Sequence, residues 1–394
     1  MCKINLSERQ EIWRAVAVLW CVGLYLRIPI LVVPPLLPGI REALAPGFAA
    51  TGAMTLLPLF MLAAFSAPAS RIGRALGDTR SLWIGILGLA VFSMLRGAAE
   101  GVGMFLIATI LTGGAITLVQ IVLPPFVRDR GERLGRYGSI AYLNGMLVGE
   151  FLAAAGTIPI VLPLAAGDWR IALTLWSLPA IVIVALVPWL PPAERSEEVS
   201  EERSERAAGL RDPQSWWLGI QIAIGVGVFY SMNAYLEAVL STKDGPISLS
   251  VALAVLNVTP VLVALTLAAA GPRLIGRRGA ILAMGVVGVV NFLLFLVLDG
   301  PEIHAAIAIA GYSATMQTML VLAYPAAACK GVELRRLNAA MTAIGYSLAL
   351  LVPIGGAAIL SGVGDPAVKL LPFVVLASVA LCVLAMRAGP QAAE

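Results

Sequence analysis

Residues 13–38 read WRAVAVLWCVGLYLRIPILVVPPLLP, an apolar run with Arg27 close to its middle. The run can cross a bilayer as a helix, which needs about 20 mostly apolar residues. An arginine at the centre of a spanning helix costs about 2.5–3.5 kcal/mol on insertion scales, so it normally faces a cavity, a partner or a ligand. Pro29, Pro34 and Pro35 follow, and they must bend or loosen the helix. This stretch therefore predicts a functional site at Arg27.

The composition is that of a membrane protein with many spans. Of 394 residues, 59% are hydrophobic and 13% are charged, and the mean hydropathy is +0.91. This excludes an ordinary soluble domain. The four cysteines lie far apart and His304 is the only histidine, so no metal, haem, disulfide or other cofactor is expected. The basic residues lie in short loops, where membrane topology explains them better than nucleic-acid binding does.

Apolar runs bounded by glycine, proline and charge clusters recur along the chain, and we interpret them as twelve transmembrane helices. The runs are at about 13–38, 48–69, 81–98, 103–126, 139–164, 169–190, 216–240, 248–270, 279–298, 303–327, 339–361 and 368–387. A polar segment of mixed charge divides six runs from six. The predicted organisation is an N-terminal six-helix bundle (1–190), a cytoplasmic linker (191–215) and a C-terminal six-helix bundle (216–394).

Arginine and lysine are sorted between the two ends of these spans. With the N-terminus in the cytoplasm, 21 of the 27 fall inside, 5 fall outside and Arg27 stays within the membrane. The five outside are Arg41, Arg96, Arg170, Lys243 and Lys369. This bias follows the positive-inside rule. It predicts a multi-pass protein of the bacterial inner membrane with both termini cytoplasmic, whose first apolar run is too long for a cleaved leader and is retained.

The two halves of the sequence resemble each other. Residues 123–131 and 323–331 share P-x4-[RK]-G at an offset of 200, and residues 70–74 match 273–277 at an offset of 203. Nearly equal offsets indicate duplication of a six-helix unit. Two such repeats with a site between them are typical of transporters.

The segment SAPASRIGR after the second span resembles the loop motif G-x-L-a-D-R-x-G-R of the major facilitator superfamily. Arg71, Gly73 and Arg74 match, whereas Ser66 and Ser70 stand in place of glycine and aspartate. The resemblance implies two pseudo-symmetric six-helix bundles, a carrier rather than an enzyme, and a cytoplasmic gate at the three matching residues. The acid of the usual gate contact is missing at Ser70.

Within the superfamily the chain looks most like the cyanate permease and nitroimidazole transporter group. The resemblance spans the whole chain and is carried by LRIP at 26–29, PPLLP at 34–38, VLPPFVR at 122–128, DWR at 168–170, WSLPA at 176–180 and FY at 229–230. It implies that the first, fourth, seventh and tenth spans line a central cavity.

Polar side chains at helical spacing in these spans, together with Tyr142 of the fifth span and Tyr346 of the eleventh, are the candidate ligands. The predicted substrate-binding residues are Arg27, Thr117, Gln120, Tyr142, Tyr230, Asn233, Gln317 and Tyr346. Glu237, near the outer end of the seventh span, is a candidate outer gate. The alternative for each polar stripe is a contact between helices.

Glu150 in the fifth span is the other deep charge. It and Arg27 lie about equally far from the cytoplasmic ends of their spans, roughly 20 Å, so they can meet near the midplane. Glu150 is therefore a candidate for proton coupling, for substrate binding or for a purely structural pair with Arg27. Gly145 and Gly149 belong to a small-residue stripe that predicts close approach of another helix.

The function these observations favour is secondary active transport of a small anionic or polar solute, such as a cyanate-, nitrate- or carboxylate-like compound. The expected protein is a monomer in the lipid bilayer that works by alternating access, with coupling to protons left open. The alternative is efflux of neutral or cationic drug-like compounds such as nitroimidazoles, in which Arg27 is structural. An enzyme needs a nucleophile, metal or acid–base set that the sequence does not offer.

Overall fold

A computed structural model describes residues 6–46, 48–191, 209–240, 243, 249–329 and 331–363, and its regular structure in these ranges is helical. The helices are α1 (Leu6–Leu31), α2 (Val33–Leu44), α3 (Phe48–Ala64), α4 (Ser66–Leu76), α5 (Asp78–Gly97), α6 (Val102–Arg128), α7 (Glu132–Gly156), α8 (Leu162–Leu164), α9 (Trp169–Leu186), α10 (Pro213–Leu240), α11 (Leu249–Leu274), α12 (Arg278–Val297), α13 (Ile303–Ala328) and α14 (Gly331–Val363). A π-helical turn, Thr157–Val161, joins α7 to α8, and a 3-10 turn, Val187–Trp189, follows α9.

The predicted spans coincide with these helices as far as the chain is described. Eight helical segments in the described ranges are long and apolar enough to cross a membrane, or nine if α3 and α4 form one bent span. The first eleven predicted spans each match one helix or one series of consecutive helices. The twelfth, 368–387, lies outside the described residues. The protein is an all-helical, multi-pass membrane protein.

Prolines explain where single spans are divided. The first span breaks at Val32, because Pro34 and Pro35 have no N–H to donate to the preceding turn. The second span bends by 59° at Phe65. Pro68 lies three residues later, and a proline ring clashes with the carbonyl four residues before it. The break at Val32 confirms the loosening of the chain that the sequence predicts beyond Arg27.

Glycines bring α1 and α7 into main-chain contact along their length. A Cβ atom added to Gly145 would overlap the carbonyl of Trp20, and one added to Gly149 would overlap that of Leu24. Gly23 meets the main chain of α7 in the same way. The small-residue stripe predicted in the fifth span therefore packs on the helix that carries Arg27.

The described helices form two sets, α1–α9 and α10–α14. A small number of helices make the contacts between the two sets. Helix α7 packs on α11, and α14 packs on α3, α4 and α6. Between α7 and α11, Asn144 donates its amide to the Ala264 carbonyl at 2.7 Å and accepts from the Trp20 indole at 2.8 Å. A small apolar cluster between α4, α6 and α14 is formed by Ala69, Leu118, Ile121, Val122 and Ala339.

Candidate functional site

Arg27 lies in α1 at the junction of the two helix sets. Its side chain is 6% exposed. Its Nη2 atom donates to the Tyr346 hydroxyl of α14 at 3.3 Å, and its Nε atom has no hydrogen-bond partner in the described residues. A buried guanidinium has five donors in a planar fork. Arg27 therefore retains the capacity to bind an acceptor group.

Glu150, on α7, is half-buried and close enough to Arg27 for an electrostatic interaction. No ion pair within 4.0 Å joins it to Arg27 or to another cation of the described chain. The main-chain contact between α1 and α7 accounts for their proximity. The structure thus brings the two deep charges together without a direct salt bridge.

Tyr230 of α10 completes this cluster from the C-terminal helix set. It lies close to Arg27, Glu150 and Tyr346. Its ring lies edge-on to Phe229, with 6.0 Å between the ring centroids. One cation, one carboxyl group and two phenol rings therefore meet between the helix sets, and we name these four residues (Arg27, Glu150, Tyr230 and Tyr346) the Arg27 cluster.

Among the other predicted ligands, Gln120, Tyr142 and, at its Oε1 atom only, Gln317 have buried side-chain atoms without a hydrogen-bond partner in the described residues. Both amide atoms of the Gln120 side chain and the hydroxyl of Tyr142 lack a hydrogen-bond partner in the described residues. The Tyr142 main chain contacts α1 at Gly23, one helical turn before Arg27. Since an unpartnered buried polar group is costly, these atoms fit a site that binds a polar solute.

The remaining predicted ligands have protein partners. Thr117 donates to the Gly113 carbonyl of its own helix at 2.7 Å. Gln317 is fully buried and donates to the Gln221 side chain at 2.6 Å. Both glutamines belong to the C-terminal helix set, so this pair joins α10 to α13.

Asn233 donates to the Phe229 carbonyl at 3.0 Å and accepts from Asn257 of α11 at 3.3 Å. The sequence analysis did not single out Asn257, although an amide in an apolar span was a signal for it. Its partner depends on how α10 and α11 pack. The Glu237 side chain lies outside the described part of the chain.

Arg96 is a second buried arginine, which the sequence analysis counted only among the charges at the outer ends of the spans. It lies in the last turn of α5 and is 0% exposed. Its Nη1 atom donates to the Pro29 carbonyl at 2.8 Å and its Nη2 atom to the Ser93 hydroxyl at 3.3 Å. The carbonyl groups at the end of α1 attract a cation, which explains the placement. Arg96 thus fixes the chain two residues beyond Arg27.

Acidic residues of the N-terminal helix set bind α14 at the predicted cytoplasmic end. Arg335 pairs with Asp78 through Nη1 and with Asp129 through Nη2, the latter at 3.3 Å. Burial raises the pKa of the Asp129 carboxyl, and the Arg335 guanidinium opposes that rise. Asn338 adds bonds to two main-chain carbonyls of α6, at 3.1 and 3.4 Å.

The predicted gate residues lie beside this contact on α4. Arg71 and Arg74 are exposed, whereas Gly73 is buried against the Val122 side chain. Position 70 carries no acid, and in the described residues Asp78 and Asp129 are the acids that bind Arg335 beside α4.

Arg130 holds the loops around this contact. Its Nη2 atom donates to the Thr79 hydroxyl at 2.7 Å and its Nε atom to the Pro191 carbonyl at 2.5 Å. The guanidinium carbon lies 3.5 Å from the centre of the Phe126 ring. Burial lowers the pKa of Arg130 to about 10. The residue joins the first turn of α5, the end of α6 and the end of the sixth span.

Solved structures share this architecture over nearly the whole chain. The human organic anion transporter MFSD10 (TETRAN) matches with a TM-score of 0.71 at 15% identity, covering 94% of this chain and 99% of that one. The transporter FucP in its outward conformation matches with a TM-score of 0.68 at 14% identity, covering 95% and 99%. Fold and buried charged site together define a polytopic membrane protein with the major facilitator superfamily fold.

Within that class, curated relatives agree with the resemblance found in the sequence. The cyanate transport protein of Escherichia coli (strain K12) is 27% identical over 224 residues, 56% of this chain and 57% of that protein. The 2-nitroimidazole transporter of the same strain is 28% identical over 243 residues, 61% and 60% of the two chains. An uncharacterized transporter of Bacillus subtilis (strain 168) is 25% identical over 233 residues, 59% and 56%.

The matched region spans less than two thirds of each relative. No protein-family model matches the chain. The chain is thus similar to transporters of the major facilitator superfamily, a family of carriers and not of enzymes.

Proposed function

We propose that this protein is a secondary transporter that moves a small anionic or strongly polar solute across the bacterial inner membrane by alternating access. The observation that carries the proposal is Arg27, a buried guanidinium between the two helix sets with an unpartnered Nε atom. A charge in that position is expensive in a membrane and is normally functional.

The chemistry of Arg27 favours a solute with a planar or linear acceptor group. A guanidinium stays protonated and offers parallel N–H donors that match the oxygens of a carboxylate or a similar oxyanion. Glu150 does not form a direct ion pair with Arg27, so the fork stays available to such a group. Gln120 and Tyr142 supply further unpartnered polar atoms that replace water around the solute. Cyanate, nitrate and small carboxylates are therefore the first solutes to test.

Alternating access is supported by where the polar contacts between the helix sets lie. The Arg335 ion pairs and the Asn338 hydrogen bonds hold the predicted cytoplasmic end together. A path from the Arg27 cluster to that end requires these contacts to break. Glu150, half-buried beside Arg27, is the group we assign to proton coupling, and the monomer is the unit that carries the site.

A second candidate function is efflux of neutral or cationic compounds. The 28% identity to a 2-nitroimidazole transporter favours it. In that case Arg27 is structural, and its hydrogen bond to Tyr346 holds α1 against α14.

The charge of Arg27 distinguishes the two functions in reconstituted vesicles. Uptake of labelled cyanate, nitrate, acetate and 2-nitroimidazole is measured for the wild type and for Arg27→Lys and Arg27→Gln. Removing one member of a buried charged contact costs about 2–5 kcal/mol, so Arg27→Gln should lower affinity for the transported anion about 30-fold or more. The affinity of Arg27→Lys should lie between those of the wild type and Arg27→Gln, because lysine keeps the charge but loses the planar fork of the guanidinium.

Arg41→Gln is the matched control, since Arg41 is exposed on α2 and has no predicted role in the site or the gate. It should transport like the wild type. Folding of each variant is followed by size-exclusion chromatography and thermal unfolding. Unchanged affinity for the transported solute in a well-folded Arg27→Gln protein would exclude the anion site and favour efflux of uncharged compounds.

A further inference from the structure

One face of α14 carries polar side chains from its first turn to the Arg27 cluster. Arg335, Asn338, Thr342 and Tyr346 follow each other at steps of three, four and four residues. Side chains at these steps lie above one another on one helix face. The last three are buried and Arg335 is half-buried. The sequence analysis had singled out only Tyr346.

Three of these side chains bind the N-terminal helix set. Arg335 forms the two ion pairs at the predicted cytoplasmic end. Asn338 donates to two successive carbonyls of α6, one of them that of Gln120. Tyr346 accepts from Arg27. The face therefore touches the opposite helix set at both of its ends and between them.

Thr342, between Asn338 and Tyr346, is the exception. It is 0% exposed and its hydroxyl has no hydrogen-bond partner among the described residues. A helical threonine can donate to the carbonyl four residues earlier, as Thr117 does. A buried hydroxyl without a partner raises the free energy of the arrangement that contains it. The closed contact thus includes a destabilising group at its centre.

We propose that Arg335, Asn338, Thr342 and Tyr346 form a coupling face, through which the bond at Arg27 and the closure of the predicted cytoplasmic end act as one event. The proposal rests on the proposed transport function and names α14 as the element that links binding to opening. A solute that accepts from Nη2 of Arg27 competes with the Tyr346 hydroxyl. Because one continuous helix carries all four residues, release at Tyr346 weakens the bonds at Asn338 and Arg335.

Closure can be measured at Ala339, which is 7% exposed in the apolar cluster between α4, α6 and α14. The full chain is prepared with its four native cysteines replaced by serine and with Ala339→Cys. The rate of alkylation by N-ethylmaleimide then reports how often this end opens. The assay is done in lipid nanodiscs without solute, so it does not depend on which solute is carried.

Tyr346→Phe should raise the alkylation rate about fivefold, since it removes one hydrogen bond of the closed state, and Asn338→Ala should raise it at least as much, since it removes two. The double variant should raise it by less than the product of the two, because both changes act on one contact face. Thr342→Val should lower the rate, since it removes the unpartnered hydroxyl and keeps the shape. Partial unfolding can only raise the rate, so this opposite sign excludes it as the cause.

Ser347→Ala is the matched control, because Ser347 is exposed beside Tyr346. It should label like the parent protein. A wild-type rate for Tyr346→Phe, a double variant equal to the product of the single ones, or a faster rate for Thr342→Val would each overturn the coupling face. If the labelling results hold and no solute is transported, the proposed function is wrong and the coupling face stands. If transport depends on Arg27 and the labelling results fail, only the coupling face is wrong.

Discussion

At the scale of single residues, two buried arginines on neighbouring helices shape the candidate site. Arg27 faces the opposite helix set, whereas Arg96 binds the chain just beyond it. The negative pole of a helix dipole lies at the end of α1, and Pro34 and Pro35 prevent the helix from continuing. Arg96 stabilises that end and so determines where Pro29 and the residues around it lie.

Replacing Arg96 by leucine should therefore destabilise the protein. Hydrogen bonds from charged groups are each worth about 1.5–3 kcal/mol, so Arg96→Leu should lower the free energy of unfolding by about that amount or more. Thermal unfolding in detergent measures the effect. Arg41→Leu is the matched control, since Arg41 is exposed on α2.

Arg96→Lys separates the contribution of the positive charge from that of the planar guanidinium. It should be intermediate in Tm, because an ammonium group can bind the Pro29 carbonyl but not that carbonyl and Ser93 with the same geometry. A wild-type Tm for Arg96→Leu would show that the guanidinium does not hold the end of α1.

Buried charged and polar residues differ in how well the sequence alone predicts them. Arg27 and Glu150 are visible because a charge inside an apolar run is rare and costly. The burial of Arg96 is not predicted, because Arg96 ends its apolar run and so resembles a loop charge. The Gln221–Gln317 pair depends on how α10 packs on α13, which no local pattern contains.

At the scale of elements, proline and glycine chemistry predicted the local structure best. The break after Arg27 and the close approach of α7 follow from missing N–H groups and missing Cβ atoms. Both are properties of a few adjacent residues. The bend at Phe65 follows from Pro68 by the same rule, yet the sequence analysis treated the second span as one helix. The polar face of α14 escaped notice because its partners come from other helices.

The seam between α1 and α7 gives a prediction with opposite signs at two glycines. A methyl group at Gly149 meets the Leu24 main chain, which cannot move aside, so Gly149→Ala should destabilise the protein by about 1–3 kcal/mol or more. Gly103, in the first turn of α6, has open space around it. Gly103→Ala should be neutral or stabilising by up to about 1 kcal/mol, since alanine favours a helix.

Both variants are compared by thermal unfolding and by the yield of monodisperse protein. Equal Tm values for Gly149→Ala and the wild type would mean that α1 and α7 lie further apart than the structure has them.

At the scale of the whole molecule, the ion pairs between described residues lie at the two opposite ends of the helix bundle. Arg130 and Arg335 bind at one end. Lys243 and Asp299, which the positive-inside rule places outside, form an ion pair of 3.3 Å at the other. Which end faces the cytoplasm stays a prediction from the charge bias.

Cysteine labelling in intact cells tests that orientation. Glu302→Cys and Ala75→Cys place exposed thiols near the two ends, in a chain without its native cysteines. An impermeant maleimide should label position 302 and spare position 75 until the membrane is opened. Labelling at position 75 alone would reverse the topology.

The count of spans and the internal repeat were readable at this scale because hydropathy and duplication are properties of the chain itself. The interface between the helix sets was not, since it joins residues far apart in sequence, such as Asn144 with Ala264 and Gln120 with Asn338.

The glycine seam has a consequence for the energetics of transport. Because α1 and α7 touch along their main chains, we expect Arg27 and Glu150 to move as one body and to keep their separation in the proposed alternating-access cycle. A solute therefore meets the same pair of charges from either side of the membrane. In the proposed cycle these two charges then contribute equally to binding from either side, and any difference in affinity between the two sides comes from Tyr230 and Tyr346 of the opposite helix set.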